Sequence, residues 1–272
     1  MPLRPTVLIS EVGPRDGLQS VKATMPTAAK LRWIDALYAS GLREIEVCSF
    51  VPARLLPQIA DAAAVVAHAL TLPGLTVMAL VPNLRGAEAA LAAGVHKLTV
   101  PVSVSAAHSL ANVRKTREQM VDEVRNIHAL RRERAPQVQL EVGMSTAFGC
   151  TLQGLVPEDD VIRMAGELVA AGVDECGLSD TTGHAKPAQV RRLFKRLRAE
   201  TGQRAGAAHV HNTRGLGLAN CLAAMGVATG VNIDLLLAAR APLQAGLPGE
   251  PIYGMTPEAG VPKGFVQGAV NV

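Results

Sequence analysis

Aromatic side chains are scarce in this chain of 272 residues: Phe, Tyr and Trp together make up 3%. Nucleic-acid surfaces combine stacking aromatics with clustered basic residues, and that combination does not occur. The fullest basic run, R-R-L-F-K-R-L-R at 191–198, sits among Val190, Leu193, Phe194 and Leu197 at helical spacing. It reads as an amphipathic helix with a solvated face. Charged residues are also few, 18% against about 25% in an average domain. So lightly charged a surface suits an apolar contact with a second subunit, and a homo-oligomer, most simply a dimer, is expected. The net charge of +4 and a pI near 9.0 are only mildly basic. There is no run of roughly 18 apolar residues to cross a membrane. The first six residues, two of them proline, do not read as a signal peptide. Four cysteines, at 48, 150, 176 and 221, form no C-x-x-C pair, and a reduced compartment is the default for such a set. A soluble cytoplasmic protein follows, with no nucleic-acid or membrane partner.

Ala, Leu, Val and Gly are plentiful, and they recur in a loose repeat. Helical stretches end in small residues and a glycine, and a strand begins at once: A-S-G at 39–41, A-A-G at 92–94 and A-A-G at 170–172. Glycine suits that stop because it takes the left-handed conformation cheaply. Strands are expected near 6–12, 43–49, 75–81, 97–102, 139–145, 175–180 and 207–211. They are rich in branched residues and lack clean alternation, as strands covered on both faces do. Helices are expected near 27–40, 56–71, 84–93, 116–134, 158–171 and 187–201, with a further one from Val231 to Leu247. Repeated βα units at this spacing predict an α/β fold, a (β/α)₈ TIM barrel. It forms a single domain over 1–272 with an irregular tail from about 248. The seventh strand has no clear successor, and an eighth strand to complete the barrel is not found in the sequence.

The chemistry is concentrated where strands run out. E-V-G-P-R-D-G-L-Q at 11–19 follows the apolar run Val7-Leu8-Ile9. Gly13, Pro14 and Gly17 turn the chain there and leave Arg15 and Asp16 on the rim where parallel α/β proteins build their sites. A carboxylate there can hold a metal, and a guanidinium beside it can stabilise developing negative charge. H-V-H at 209–211 ends the seventh strand, and alternation turns both imidazoles to one side. One carboxylate with two histidines suits Mg²⁺ or Mn²⁺, with Zn²⁺ still admissible. Glu46, inside the apolar strand I-E-V-C-S-F, needs a partner if buried, and Arg15 is the natural one; a surface-facing Glu46 is the alternative. Asp180 opens D-T-T-G after the sixth strand, either beside the metal or as a helix cap. His108 either lines a ligand mouth or is an ordinary loop histidine. Gln19 is a candidate hydrogen-bonding neighbour of the metal.

Five motifs together resemble the hydroxymethylglutaryl-CoA lyase family of metal-dependent TIM barrels. They are E-V-G-P-R-D-G-L-Q (11–19), I-E-V-C-S-F-V (45–51), P-Q-I-A-D (57–61), G-L-S-D-T-T-G (177–183) and H-V-H-N-T (209–213), in order from about residue 5 to about 222. The first is specific to the lyase branch; the others also occur in isopropylmalate-synthase-type relatives. The stretch L-P-G-E-P-I-Y-G-M-T-P-E-A-G-V-P-K-G at 247–264 is similar to the tail of bacterial lyase-like proteins. The resemblance implies cleavage of 3-hydroxy-3-methylglutaryl-CoA, or a similar 3-hydroxyacyl-CoA, into acetoacetate and acetyl-CoA, the chemistry of leucine degradation and ketone-body formation. It implies Asp16, His209 and His211 as ligands of Mg²⁺ or Mn²⁺. Arg15 would stabilise the enolate, Glu46 would fix Arg15, and Asp180 and His209 would supply a base and its support. Read from the residues alone, Gln19 and His108 are candidate substrate contacts. Asn212 stands where H-D-T is more usual and would orient a ligand from behind.

Two family features do not occur: the glycine-rich G-G-x-G-G-C-P loop with its catalytic cysteine, and the G-x-x-G-N whose asparagine completes the metal shell. The chain passes from L-G-L-A-N-C-L-A-A (216–224) to M-G-V-A-T-G-V-N-I (225–233), so an internal loss near residues 223–225 is expected. Cys221 is a weak substitute for the missing thiol, and Cys48, Cys150 and Cys176 read as packing groups. Alternatives to the lyase are a related aldolase or acyl-transfer enzyme on another hydroxy-acid thioester, and an inactive barrel remnant that binds a partner.

Overall fold

Branched residues without alternation form parallel strands covered on both faces, and the strand at Glu44–Ser49 is buried at all six positions. The computed structural model describes residues 7–210, Leu222 and residues 227–252. The chain divides into two compact units, Met1–Met78 with Thr213–Val272 and Ala79–Asn212.

In the first unit, β1 (Ser10–Glu11) pairs in parallel with β2 (Glu44–Ser49), Ser10 opposite Glu44 and Glu11 opposite Ile45. β3 (Thr76–Leu80) starts here, with Thr76 N donating to Arg43 O at 2.8 Å. Helix α1 (Thr27–Ala39) buries Trp33, Ile34 and Leu37, and α2 (Ala62–Ala69) buries Val65 and Val66. Each large side chain so covered contributes roughly 1.5–3 kcal/mol. Lys30 is buried on α1, where its Nζ donates to Gln58 O and to Asp61 Oδ1, both at 2.5 Å. Those bonds satisfy a charge that would otherwise be costly to bury and tie α1 to the residues ahead of α2. The return segment 227–232 packs on the start of the unit. A Cβ on Gly41, where φ is +100°, would lie 2.3 Å from Gly230 O, so only glycine fits.

In the second unit, Val81 N, just past β3, donates to Thr99 O at 2.9 Å. β4 (Lys97–Ser103), β5 (Gln139–Ser145), β6 (Glu175–Asp180) and β7 (Ala205–Val210) follow as successive parallel neighbours. Their connections carry α3 (Leu84–Ala93), α4 (Ala106–Val113), α5 (Arg117–Arg134), α6 (Glu158–Ala170) and α7 (Pro187–Thr201). α5 opens with a reciprocal capping box between Thr116 and Gln119, which satisfies two N–H groups that the first turn leaves open. Lys97 is buried at the entry of β4 and pairs with Glu141 at 2.6 Å and Glu175 at 2.8 Å. β7 is the least covered strand, with Ala207, Ala208 and Val210 exposed.

Seven strands occur among the described residues, and none follows β7 there. The expected loss near 223–225 lies outside the described residues, as do the tail beyond 252 and Cys221. Four elements depart from expectation. β1 spans two residues, where a strand over 6–12 was expected. The expected helix 56–71 is a short turn at Pro57–Ile59 followed by α2. An unexpected α4 is nucleated by Ser105, whose Oγ accepts from His108 N. The expected helix 231–247 is two, α8 (Ile233–Ala238) and α9 (Arg240–Gly246). Pro242 lacks the N–H that a continuous helix would bond to Ala238, and a proline is tolerated only in a first turn. Among the described residues, no helix is long and apolar enough to cross a membrane.

Candidate active site

After β1, Gly13–Gly17 form a single wide (π) helical turn with Pro14 at its start, a form frequent at functional sites. A Cβ on Gly13 would lie 2.7 Å from Glu11 Oε1 and 3.1 Å from the Trp33 ring. Its absence lets that carboxylate accept from Gly13 N at 2.6 Å. Burial pushes the Glu11 carboxyl up, and the amides of Gly13 and Val12 offset part of that rise.

The turn delivers Arg15 into the interior at 7% exposure. Its Nε donates to Glu46 Oε2, and its Nη1 donates to Asp16 Oδ1 at 2.7 Å. Gln19 Nε2 donates to the same Asp16 oxygen at 2.9 Å. Arg15 Nη2 makes no hydrogen bond among the described residues. Glu46 is 1% exposed, and its Oε1 is buried without a hydrogen-bond partner among the described residues. A buried guanidinium is thus held by two carboxylates on two of its nitrogens. Among the described residues, its third nitrogen is left to donate to a ligand oxygen and one buried carboxylate oxygen to accept from a ligand hydroxyl. Arg15, Asp16, Gln19 and Glu46 are brought together within the first unit.

The second unit holds the other described candidates, two on strand ends and one in the helix after β4. His209 is on β7 opposite Ser179 of β6, and Asp180 is opposite Val210. Asp180 Oδ1 accepts from His184 N at 2.8 Å and from Ala185 N at 3.1 Å. It therefore organises the loop after β6 rather than capping α7, which Lys186 precedes. His108, in the first turn of α4, is 2.7 Å through Nδ1 from Ser103 Oγ, and burial lowers its pKa. His211 and Asn212 lie outside the described residues. Among the described residues no group of three His, Cys, Asp or Glu forms a metal cage.

Sequence reasoning missed Thr146 and Ser103. Thr146 is fully buried with φ +60°, a strained conformation for a β-branched residue, costing about 1–3 kcal/mol. It is held by three loops: its N donates to Thr181 Oγ1 at 2.9 Å, its Oγ1 donates to Ser145 O at 2.6 Å, and Ser105 N donates to that Oγ1 at 3.1 Å. No residue pattern signals such a φ. Ser103, the last residue of V-P-V-S at a strand end, was visible as a polar residue closing an apolar run. The buried thiols differ. Burial, then the charges of Glu46 and Asp61, push Cys48 well up, against the pull of Lys30. Cys176 is pushed up to about 12, chiefly by burial. For Cys150 burial also acts upward, but hydrogen bonds from Ser105, Gln153 and Leu152 outweigh it and leave the thiol below its usual value.

Parallel βα units with their ionisable side chains collected at strand ends define an enzyme scaffold of the TIM-barrel class. Solved structures agree. A hydroxymethylglutaryl-CoA lyase from Pseudomonas aeruginosa superposes with a TM-score of 0.85 at 30% identity, covering 95% of this chain and 98% of that one. A lyase from Acinetobacter baumannii, solved with coenzyme A and 3-methylmalate, gives 0.84 at 26% identity over 95% and 96%. The HMGL-like family pattern matches residues 6–233. A P. aeruginosa 3-hydroxy-3-isohexenylglutaryl-CoA/hydroxy-methylglutaryl-CoA lyase is 38% identical over 225 residues, 83% of this chain and 74% of that protein. The chain belongs to the HMGL-like family, and its type of chemistry is that of a carbon–carbon lyase.

Proposed function

We propose that this protein cleaves 3-hydroxy-3-methylglutaryl-CoA, or a 3-hydroxyacyl-CoA of similar shape, to acetoacetate or its homologue and acetyl-CoA. The observation that carries the reading is the Arg15 fork, anchored on Glu46 and Asp16, with Nη2 making no hydrogen bond among the described residues. When the substrate's tertiary hydroxyl loses its proton, its C–O bond becomes a carbonyl. The pair of the adjacent C–C bond then moves into the acetyl thioester as an enolate, and the proton taken up by the base returns to the enolate carbon to give acetyl-CoA. Arg15 donates to the oxygen on which that charge gathers, and fixed donors are worth most where charge develops in a low-dielectric site. Glu46 keeps the guanidinium from swinging away. Asp180 and His209 serve as base and its support, and Gln19 and His108 contact the acyl group. The donor chemistry fits a divalent cation: Asp16 is a carboxylate oriented by two side chains, and imidazoles are its usual companions. Asp16, His209 and His211 would hold Mg²⁺ or Mn²⁺, with Asn212 behind them. A cation held by these residues would supply Lewis acidity that lowers the pKa of the tertiary hydroxyl.

Purified protein with Mn²⁺ and the thioester should release acetyl-CoA. Arg15→Gln should lower kcat far more than it changes KM, because the contact belongs to the transition state. Equal losses in both would overturn the role. A second reading, an inactive barrel remnant acting as a binding protein, is favoured by one sequence fact: neither G-G-x-G-G-C-P nor G-x-x-G-N occurs. Thioester binding without cleavage by the wild type would establish it. A cytoplasmic location accords with buried, free Cys48, Cys150 and Cys176. The expected homodimer is tested by light scattering.

A further inference from the structure

Ser103 ends β4 and is buried, so its hydroxyl proton needs an acceptor. Among the described residues, the contact at 2.7 Å to His108 Nδ1 is the hydrogen bond that Ser103 Oγ makes. Were Nδ1 the donor, the hydroxyl proton would have no acceptor among the described residues. The hydroxyl therefore donates, Nδ1 accepts, and the ring carries its proton on Nε2. The imidazole's place is set from behind as well: His108 N donates to Ser105 Oγ at 3.1 Å, and Ser105 N donates to Thr146 Oγ1 at 3.1 Å. Thr146 is the strained residue that joins the loops after β4, β5 and β6. Nε2 meets no hydrogen-bonding group among the described residues.

We propose that His108 is a neutral, pre-aimed hydrogen-bond donor, its Nε2–H directed at an oxygen of the acyl group, with Ser103 as the residue that fixes its tautomer. The proposal rests on the lyase reading above. His108 moves no proton; it donates a hydrogen bond that shortens as negative charge builds on its acceptor. A neutral imidazole held this way contributes without giving up its proton, the role of an electrophilic histidine in an isomerase barrel. Desolvation of the ring acts in the same direction, since it disfavours imidazolium.

The test uses the full chain with its metal and 3-hydroxy-3-methylglutaryl-CoA. In ¹⁵N-histidine spectra of the unliganded protein, His108 should show the Nε2–H tautomer, and Ser103→Ala should mix the two tautomers while Ser103→Thr keeps one. A wild-type His108 protonated on Nδ1 would overturn the assignment. His108→Ala should lower kcat by about tenfold or more with a smaller change in KM. His108→Gln, which keeps an N–H donor, should recover part of the loss. Wild-type turnover with an equally fast His108→Ala would sink this proposal alone. No wild-type turnover would sink the lyase reading instead, and the tautomer measurement would still decide the Ser103 role.

Discussion

Glu46→Gln changes one buried atom type and leaves the shape of the side chain intact. In the wild type, Arg15 and Glu46 have side-chain exposures of 8% and 1%. Removing one partner of such a buried pair typically costs about 3–5 kcal/mol, because the other charge is left without its counterion. Two features reduce that here. Asp16 remains on Nη1, and the glutamine oxygen can still accept from Nε, so a bond of about 1.5–3 kcal/mol falls to about 1 rather than to nothing. The expected loss is about 2–3 kcal/mol. At about 2–4 °C per kcal/mol for chains of this size, Tm should fall by roughly 5–10 °C. Thermal melts followed by circular dichroism and urea titrations at neutral pH should agree on it. Replacing both partners, Arg15→Met with Glu46→Leu, should cost less than the two single changes added together, with a coupling of about 1–3 kcal/mol. If Glu46→Gln shifts stability by less than about 0.5 kcal/mol, or the double variant is additive, the buried pair is not what holds the guanidinium.

Gly41→Ala meets a left-handed φ and a backbone oxygen at 2.3 Å together, so it should cost at least about 2 kcal/mol; an unchanged melt would show that segment 227–232 yields freely. Glu11 has a raised pKa from burial, so its folded form binds its proton more tightly than the unfolded chain does. Its contribution is fully present below the unfolded carboxylate value and is lost as pH rises through the folded one. Glu11→Gln should therefore be the more stable protein at neutral pH, with the gap closing below about pH 4; a gap constant with pH, read from urea midpoints, would contradict this.

Much of the architecture was readable because repeated local signals agree. The glycine stops at 41, 94 and 172 all take positive φ, and six of the seven expected strands lie within two or three residues of those observed. α4 escaped because its signal is one cap, Ser105, ahead of a short segment that includes a histidine and an asparagine. The division at Ala239 escaped because the apolar stripe Leu235, Leu236, Ala239, Leu243 outweighed Pro242. At the site, the residue types in E-V-G-P-R-D-G-L-Q and the isolated Glu46 pointed to a guanidinium–carboxylate group, and a charge in an apolar strand leaves few other solutions. Which guanidinium nitrogen stays open, or that Ser103 faces His108, depends on rotamers and loop paths that no spacing rule encodes. The pairing of His209 with Ser179 follows from the β6–β7 register, which is offset by a shift between Cys176 and Leu178.

The Cys150 environment makes the rim of β5 observable without a label being engineered in. This thiol is more acidic than its two buried counterparts but only 1% exposed, so an alkylating reagent can reach it only while residues 150–154 swing outward. Its modification rate, measured by intact mass against time, reports how often that segment opens. Ligands that clamp the rim would be detected as protection, even for acyl thioesters that are never turned over.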